Sequence, residues 1–204
     1  MVDIRQLQPR DIDALYAISL ATGLAGGDAS SLYRDLKLMG HIYSAPYASL
    51  QPDFCLVAED EAGVAGFIVG TADTSAWESR LEREWWPRLR QQYPAPDATR
   101  MAEWSHDHQR ILQIHNPRPT PAAVVQSHPS HIHMNLLPRL QGHGIGSRML
   151  AAWLSMAATQ GIGPMHVGVN RANTRAVSFW HRVGFIELDI PEAHGGRTIW
   201  MGRE

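Results

Sequence analysis

A chain of 204 residues, 44% of them hydrophobic, is long enough for one domain with a buried core. Its formal net charge of -2 argues against a protein that binds nucleic acid or an anionic membrane. The start of the chain lacks the apolar core of a signal peptide, and no apolar run approaches membrane-spanning length, so we expect a soluble, cytoplasmic protein. The single cysteine, Cys55, lies in a strand-like segment and is expected to be a small core residue.

The first third of the chain predicts a strand, two helical segments and a hairpin. Alternating residues indicate the strands, and apolar residues at helical spacing indicate the helices. In chain order we expect a strand at 2–8, a helix from Pro9 to about Gly23, an amphipathic segment at 32–39, and a hairpin whose strands, 53–60 and 64–73, flank Glu61-Ala62-Gly63.

Residues 75–129 are expected to form an insert of helices and proline-bearing connections. Trp77, Leu81, Trp85 and Leu89 recur at helical spacing, which predicts core packing, with a wall of an acceptor site as the alternative. The helical pattern covers 75–93 with an interruption at Pro87 and resumes over 101–114, and the prolines between 116 and 129 predict an extended connection.

The last third predicts a strand, a glycine-rich loop and a helix, followed by further strands. We expect a strand at 131–137, a helix ending near Thr159 with Gly161 as its C-cap, a strand at 165–170, a helix at 173–184, and strands at 185–190 and 197–203. No domain boundary is evident, so residues 1–204 are predicted to be one α/β domain around a mixed sheet.

Three glycines at alternate positions, Gly142, Gly144 and Gly146, open the helix of this unit. Free N–H groups and the positive end of the dipole favour an anion there, and glycine removes Cβ atoms from its path, so phosphate or pyrophosphate is the expected ligand. A Walker loop would need a lysine after Gly146, where Ser147 and Arg148 stand. A dinucleotide-binding loop would need different glycine spacing and an acid about 20 residues later, and neither is present.

The stretch Gln141-Gly142-His143-Gly144-Ile145-Gly146 resembles the Q/R-x-x-G-x-G/A signature of the GNAT N-acetyltransferases. A second block of that family, N-x-x-A-x-x-F-Y-x-x-x-G-F, is matched downstream by Asn173, Ala176, Phe179, Gly184 and Phe185. The resemblance covers essentially the whole chain. Within the family, residues 128–146 and the insert before them are most similar to the acetyltransferase-like C-terminal domain of O-GlcNAcase and its free-standing bacterial relatives.

The resemblance implies a fold and a cosubstrate. The fold is a GNAT-like, mostly antiparallel, twisted mixed sheet flanked by helices, with acetyl-CoA in the splay after the fourth strand. Backbone groups of Leu136 and Leu137 would pair with the pantetheine amides, and Asn173 would contact the cofactor arm, although a plain helix N-cap explains Asn173 equally well. The pyrophosphate would bind the loop formed by Gln141, Gly142, His143, Gly144, Ile145, Gly146 and Ser147.

Acetyl transfer to an amine needs a base for the amine's proton, a donor for the thioester oxygen and, in some cases, an acid for the leaving thiolate. The resemblance implies that the Leu136 N–H is the oxygen donor. The acid is usually the tyrosine of the second block, but Trp180 stands there, and an indole N–H does not supply a proton at neutral pH. Trp180 is instead expected to fill the space beside the cofactor.

His128, His131 and His133 lie in or before the fourth strand. Alternation places His131, His133 and Asn135 on one face, and His133 is the predicted general base, because an imidazole of ordinary pKa near 6.5 suits proton abstraction. One alternative is that the histidine forms a hydrogen bond within the sheet. Another is that the three histidines together bind zinc. We predict no metal.

Two functions therefore remain open. The first is an acetyl-CoA-dependent N-acetyltransferase that acts on an unidentified small-molecule or peptide amine by direct attack in a ternary complex. The second is an acetyl-CoA-binding or interaction module that has lost catalysis, which the replacement of the tyrosine by Trp180 favours. Members of this fold often pair, so a homodimer is a further expectation.

Overall fold

In the computed structural model, which describes residues 1–191 and 193–204, seven strands form one mixed sheet. Their spatial order is β1-β2-β3-β4-β5-β7-β6, and every neighbouring pair is antiparallel except β4 with β5. The strands are β1 (Asp3–Gln6), β2 (Cys55–Asp60), β3 (Gly63–Thr71), β4 (Ser130–Leu136), β5 (Met165–Asn170), β6 (Ile186–Glu187) and β7 (Thr198–Arg203). The predicted mostly antiparallel α/β sheet is confirmed.

Helices cover both faces of this sheet. In chain order they are α1 (Ile12–Ala21), α2 (Leu38–Tyr43), α3 (Ala45–Leu50), α4 (Thr74–Glu84), α5 (Trp86–Gln92), α6 (His106–His115), α7 (Ala122–Ser127), α8 (Ile145–Thr159) and α9 (Thr174–Arg182). None of the helices in the described part of the chain combines the length and apolarity needed to cross a membrane.

Alternation along the strands divides the interior into two cores. Val57 and Phe67 pack with α1, α2 and the helices of the 75–129 segment, whereas Leu56 and Ile68 pack with α8 and α9 on the opposite face. Trp77, Leu81, Trp85 and Leu89 all belong to the first core and are buried, as their helical spacing predicts.

The helical segments depart from the sequence prediction in three places. The segment at 32–39 is largely irregular, and its helix begins only at Leu38 and is followed by α3, whose first turn contains Pro46. The stretch at 101–114 becomes helical only at His106. Residues 116–129 are not wholly extended, because α7 fits between the prolines and buries Val124 completely. These short helices form where single side chains become buried in the tertiary structure, and local helix propensity does not predict such burial.

Pro87 starts a helix as well as ending one. It lies in the first turn of α5, where a missing N–H removes no helical hydrogen bond, so the interruption predicted at this residue marks the junction of α4 and α5.

Candidate functional site

Strands β4 and β5 separate soon after they pair. Their parallel register covers only Ser130 with Met165 and His131 with His166, and the remaining residues of both strands diverge. A gap therefore opens between the two central strands, toward the end of β4. We call this gap the splay.

The backbone of β4 points into the splay at alternate residues. Leu137 N–H donates to Ala65 O of β3 at 2.8 Å, so the odd-numbered residues direct their hydrogen-bonding groups at β3. Met134 and Leu136 therefore direct theirs toward the diverging β5. Period-two alternation makes these two residues the backbone partners that the splay offers to a ligand.

The prediction of Leu137 as a pantetheine partner needs correction. Its N–H bonds to Ala65, and its carbonyl accepts Leu140 N–H at 3.0 Å, so both backbone groups are already engaged. Adjacent strand residues direct their N–H groups to opposite sides, which means that Leu136 and Leu137 cannot both face the splay. Met134 is the residue that sequence reasoning missed, and the alternation rule alone would have found it.

Gln141 fixes the end of β4 to the glycine loop. Its Nε2 donates to Leu136 O at 2.6 Å, which leaves the Leu136 N–H as the free backbone donor at that position. Gln141 thus holds the loop against the splay through its side chain.

The glycine loop has the left-handed backbone that its sequence suggests. Gly142 and Gly144 have φ of 80° and 73°, and a Cβ built on either would meet no atom within 4 Å. Gly144 is the N-cap of α8, so Ile145, Gly146 and Ser147 form the first turn, whose N–H groups lack helical partners. His143 is exposed between the two left-handed glycines.

Gly146 allows close packing of α8 and does not line the open side of the loop. A Cβ there would come 3.2 Å from both Leu136 Cδ1 and Phe179 Cε2, so its absence lets α8 approach β4 and α9 closely. The expectation that this glycine clears a path for phosphate oxygens is therefore wrong for Gly146 and fits Gly142 and Gly144 only.

Asn173 is the N-cap of α9, across the splay from the glycine loop. Its Oδ1 accepts Ala176 N–H at 3.1 Å, which confirms the capping role. The turn after α1 reaches the same side chain, because a Cβ on Gly26 (φ 90°) would lie 2.8 Å from Asn173 Nδ2. The α1 turn and α9 thus meet on the far side of the splay.

Trp180 lies in the core beneath α9. It is 6% exposed and packs edge-to-face on Phe185 and Phe179, with ring centroids 4.9 Å and 5.1 Å away. Its indole N–H has no hydrogen-bond partner among the described residues. The observed contacts are those of a packing residue, and contact with a cosubstrate stays a prediction.

His131 is held at both ring nitrogens. Thr74 Oγ1 donates to Pro129 O at 2.7 Å, so this hydroxyl can only accept from His131 Nδ1, which lies 2.8 Å away. Nε2 then has the lone pair and accepts the Tyr47 hydroxyl proton at 2.6 Å. A histidine with both nitrogens engaged is a structural element and has no free position for a substrate proton.

His133 has no such partners. It is half-buried on the same face of β4, and neither ring nitrogen bonds to any described residue. Burial, with a smaller contribution from the charge of His166, lowers its pKa to about 4. The ordinary pKa expected from the sequence is therefore wrong. The ring is neutral at pH 7 and can accept a proton, but it is a weaker base than an exposed imidazole.

His166 is a further histidine at the mouth of the splay that sequence reasoning missed. Its Nδ1 donates to His128 O at 2.6 Å, which leaves the lone pair on Nε2, and its pKa is lowered to about 4 by burial. The sequence places His166 in a strand, but only the β4–β5 register puts it beside His131.

The zinc alternative receives no support from the geometry. His128 points away from the other two, since its ring covers Gly202 and Nε2 lies 3.8 Å from Glu204 Oε1. No group of three or more metal-ligating side chains occurs within residues 1–191 and 193–204.

We expect the free energy of unfolding to fall as the pH drops from about 6.5 towards 4. His41, His133 and His166 have pKa values near 4 in the folded protein because they are buried, and about 6.5 when unfolded. The unfolded chain binds more protons in this window, so each such histidine costs up to about 1.4 kcal/mol per pH unit. Urea denaturation at pH 7, 6 and 5 measures the slope.

His41→Phe tests this acid lability away from the splay. Its Nε2 is the one fully buried side-chain nitrogen or oxygen without a partner in the described part of the chain. The free energy of unfolding of the variant should depend less steeply on pH, by the equivalent of about one bound proton, whatever its stability at pH 7. An unchanged slope would contradict the lowered pKa of His41.

An aromatic wall lines the face that carries His133. Tyr47 stacks on Trp77 with ring centroids 4.4 Å apart and meets the His133 ring edge-on at 5.7 Å. Trp200 of β7 covers Gly168 and meets His166 at 5.5 Å, and a cavity of about 260 Å³ opens beside it. The carboxylates of Glu82 and Glu84 pair with Arg90 and Arg80, and the carboxylate of Asp107 accepts the Arg34 backbone N–H.

Comparison with known proteins gives matches along the whole chain. Residues 94–200 match the model of the acetyltransferase (GNAT) domain. The crystal structure of SsHAT is 31% identical, with a TM-score of 0.89 over 99% of this chain and 97% of that one. The structure of yncA from Salmonella typhimurium, solved with its cofactor acetyl-CoA, shares the fold at 14% identity and a TM-score of 0.57, over 100% of this chain and 94% of that one.

Among curated proteins, the chain is 25% identical over 206 residues to protein O-GlcNAcase of Rattus norvegicus. The match covers 98% of this chain and 22% of that protein, so the chain spans about a fifth of the length of the curated relative.

Proposed function

The chain belongs to the GNAT acetyltransferase family, and from that premise we propose that it transfers acetyl from acetyl-CoA to an amine by direct attack in a ternary complex. The observation that carries the proposal is the splay itself. Backbone groups of Met134 and Leu136 face it, and the left-handed glycine loop at the start of α8 adjoins its end.

The residues present fit acetyl-CoA. Met134 would pair with the pantetheine amides, because its backbone groups face the splay, and the Leu136 N–H is left for the thioester oxygen. The first turn of α8 would hold the pyrophosphate through its N–H groups, with the open space above Gly142 and Gly144 as the cradle. Asn173 would line the cofactor arm with its Nδ2 while its Oδ1 caps α9. Bound acetyl-CoA would supply a thioester as the acetyl donor.

The chain's own groups would then act on the amine. His133 would take the amine's proton directly or through a water, since its ring is neutral at pH 7 and its nitrogens make no hydrogen bond to the described residues. The Leu136 N–H would donate to the carbonyl oxygen that gains charge as the amine attacks. His131, held by Tyr47 and Thr74, would keep the neighbouring wall rigid.

Two measurements test the proposal. Calorimetry with coenzyme A should show saturable binding at one site per chain, and detection of free thiol with a panel of small amines and peptides should show turnover. Absence of coenzyme A binding in the folded protein would overturn the assignment of the splay.

A catalytically lapsed acetyl-CoA-binding module is the second candidate, and Trp180 is the observation that favours it. The family's usual acid is replaced by a buried indole, and the imidazole proposed as base has a pKa near 4. Coenzyme A binding without turnover on any amine would support this candidate.

Trp180→Tyr separates the two candidates. If the protein is an enzyme that does not use an acid at this position, the rate should stay the same or fall, because the smaller ring leaves a gap costing about 1–3 kcal/mol against Phe179 and Phe185. If catalysis has lapsed only for want of a proton donor, turnover should rise. Steady-state rates at equal cofactor occupancy measure the difference.

Trp180→Phe is the matched control for that experiment, since it makes a similar gap without a hydroxyl. We expect Trp180→Tyr and Trp180→Phe to have similar steady-state rates. A rate that rises in Trp180→Tyr alone would contradict the enzyme proposal and assign the hydroxyl the missing role.

A further inference from the structure

Arg110 of α6 makes an unusual set of contacts. Its guanidinium donates from Nε to the Tyr33 hydroxyl at 2.9 Å, and from Nη1 to the Tyr43 hydroxyl and Gln113 Oε1, both at 3.0 Å. It also lies over the Tyr43 ring, with 5.6 Å between the guanidinium carbon and the ring centroid. Every one of these partners is neutral.

No carboxylate of the described residues pairs with this charge. Arg110 is half-buried, and no acidic oxygen of residues 1–191 and 193–204 lies within salt-bridge distance of it. Charges withdrawn from water are ordinarily paired, because desolvation without a counter-charge is unfavourable. A half-buried guanidinium fixed only by neutral groups is therefore suited to an anion from outside the chain.

The unused donors converge on one edge of the guanidinium. Nη2 has no partner among the described residues, and its N–H runs parallel to the Nε–H that bonds to Tyr33. Tyr33 accepts that bond, so its own proton is left to donate, and no acceptor for it occurs within the described residues. One oxygen could thus bridge Nη2 and the Tyr33 hydroxyl.

The carboxylates of Asp107 and Asp35 bond to groups other than Arg110. His106 meets the Tyr33 ring edge-on at 6.0 Å. Asp107, one turn before Arg110, is turned to the Arg34 backbone N–H, and Asp35 accepts from Lys37 N–H and the Tyr93 hydroxyl. Both carboxylates of this surface are therefore occupied by donors other than Arg110.

We propose that Arg110 and Tyr33 form a binding site for an oxyanion, either a carboxylate or a phosphate group, between α6 and the segment before α2. This site is separate from the glycine loop, because α6 packs with α2 and α5 in the first core, whereas α8 belongs to the second. Arg110 supplies the charge and Nη2, and Tyr33 supplies a directed hydroxyl proton.

The test titrates the protein, without coenzyme A, with sodium phosphate and separately with sodium acetate at constant ionic strength. NMR of the arginine Nε–H groups reports Arg110, and calorimetry gives the affinity. We expect a saturable shift of the Arg110 signal with at least one anion. The anion that binds more tightly identifies the site as one for phosphate or for carboxylate.

Variants locate the binding. Arg110→Gln and Tyr33→Phe should each weaken it, the first by about 10-fold or more, because a charge-assisted hydrogen bond is lost. Arg118→Gln removes an exposed arginine and Gly144→Ala alters the glycine loop, so both should leave it unchanged. Arg110→Lys keeps the positive charge but lacks the planar guanidinium with its paired N–H donors. It provides the test if Arg110→Gln does not fold.

Two results would overturn the site. One is a shift that fails to saturate with either anion in the folded wild type. The other is binding that survives in Tyr33→Phe and Arg110→Lys but disappears in Gly144→Ala, which would place the anion at the glycine loop. Because no step uses coenzyme A or turnover, neither result depends on the proposed transferase activity.

Discussion

Gly144→Ala is expected to weaken coenzyme A binding by about 10-fold or more while the protein stays folded. Gly144 has φ of 73° as the N-cap of α8, a conformation that costs an L-residue about 1–2 kcal/mol. Its Cβ would enter the open space above the first turn, where we place the pyrophosphate. Strain and obstruction therefore act in the same direction, and calorimetry with coenzyme A measures the loss.

Gly161→Ala is the matched control, because Gly161 follows the other end of the same helix. It has φ of 67°, and its Cβ would also meet open space. Both variants should lose similar stability on urea denaturation, yet only Gly144→Ala should lose coenzyme A affinity. Equal affinities in the two variants would remove the glycine loop from the cofactor site.

His133→Ala is expected to lower kcat/KM by about 100-fold or more with little change in coenzyme A affinity. The ring nitrogens make no hydrogen bond to the described residues, so the variant loses edge contacts such as that with Tyr47 and should remain folded. In the wild type, the acid limb of the kcat/KM profile due to this residue should lie near pH 4, since burial lowers its pKa to about 4 and only the neutral ring accepts a proton. Initial rates from pH 4 to 8 with an active amine measure both effects.

His181→Ala provides the control for loss of an imidazole, because His181 is exposed on α9, where it pairs with Glu187. It should retain full activity. If His133→Ala also retains near-full activity, the proton acceptor must be an ordered water or His166, whose Nε2 lone pair is available. His131 is not a replacement, because Tyr47 and Thr74 engage both of its nitrogens.

The sequence by itself determined the family, the sheet and the glycine loop. The two GNAT blocks and the resemblance to O-GlcNAcase are confirmed by the family match and the relatives. Alternation in β4 correctly placed His131, His133 and Asn135 on the face opposite Ile132, because side-chain direction in a strand depends only on parity. The cytoplasmic location and the homodimer remain predictions.

Only the tertiary structure decided which groups at the site are free. The three histidines at 128, 131 and 133 look alike in the sequence. Thr74 and Tyr47, distant in the chain, bond to His131, whereas the His133 nitrogens have no hydrogen-bond partner among the described residues. Burial lowers the pKa of His133, and strand pairing brings His166 beside His131. Both effects depend on residues far away in sequence. Local patterns record propensity and parity, whereas hydrogen-bond partners and desolvation arise from packing between distant segments.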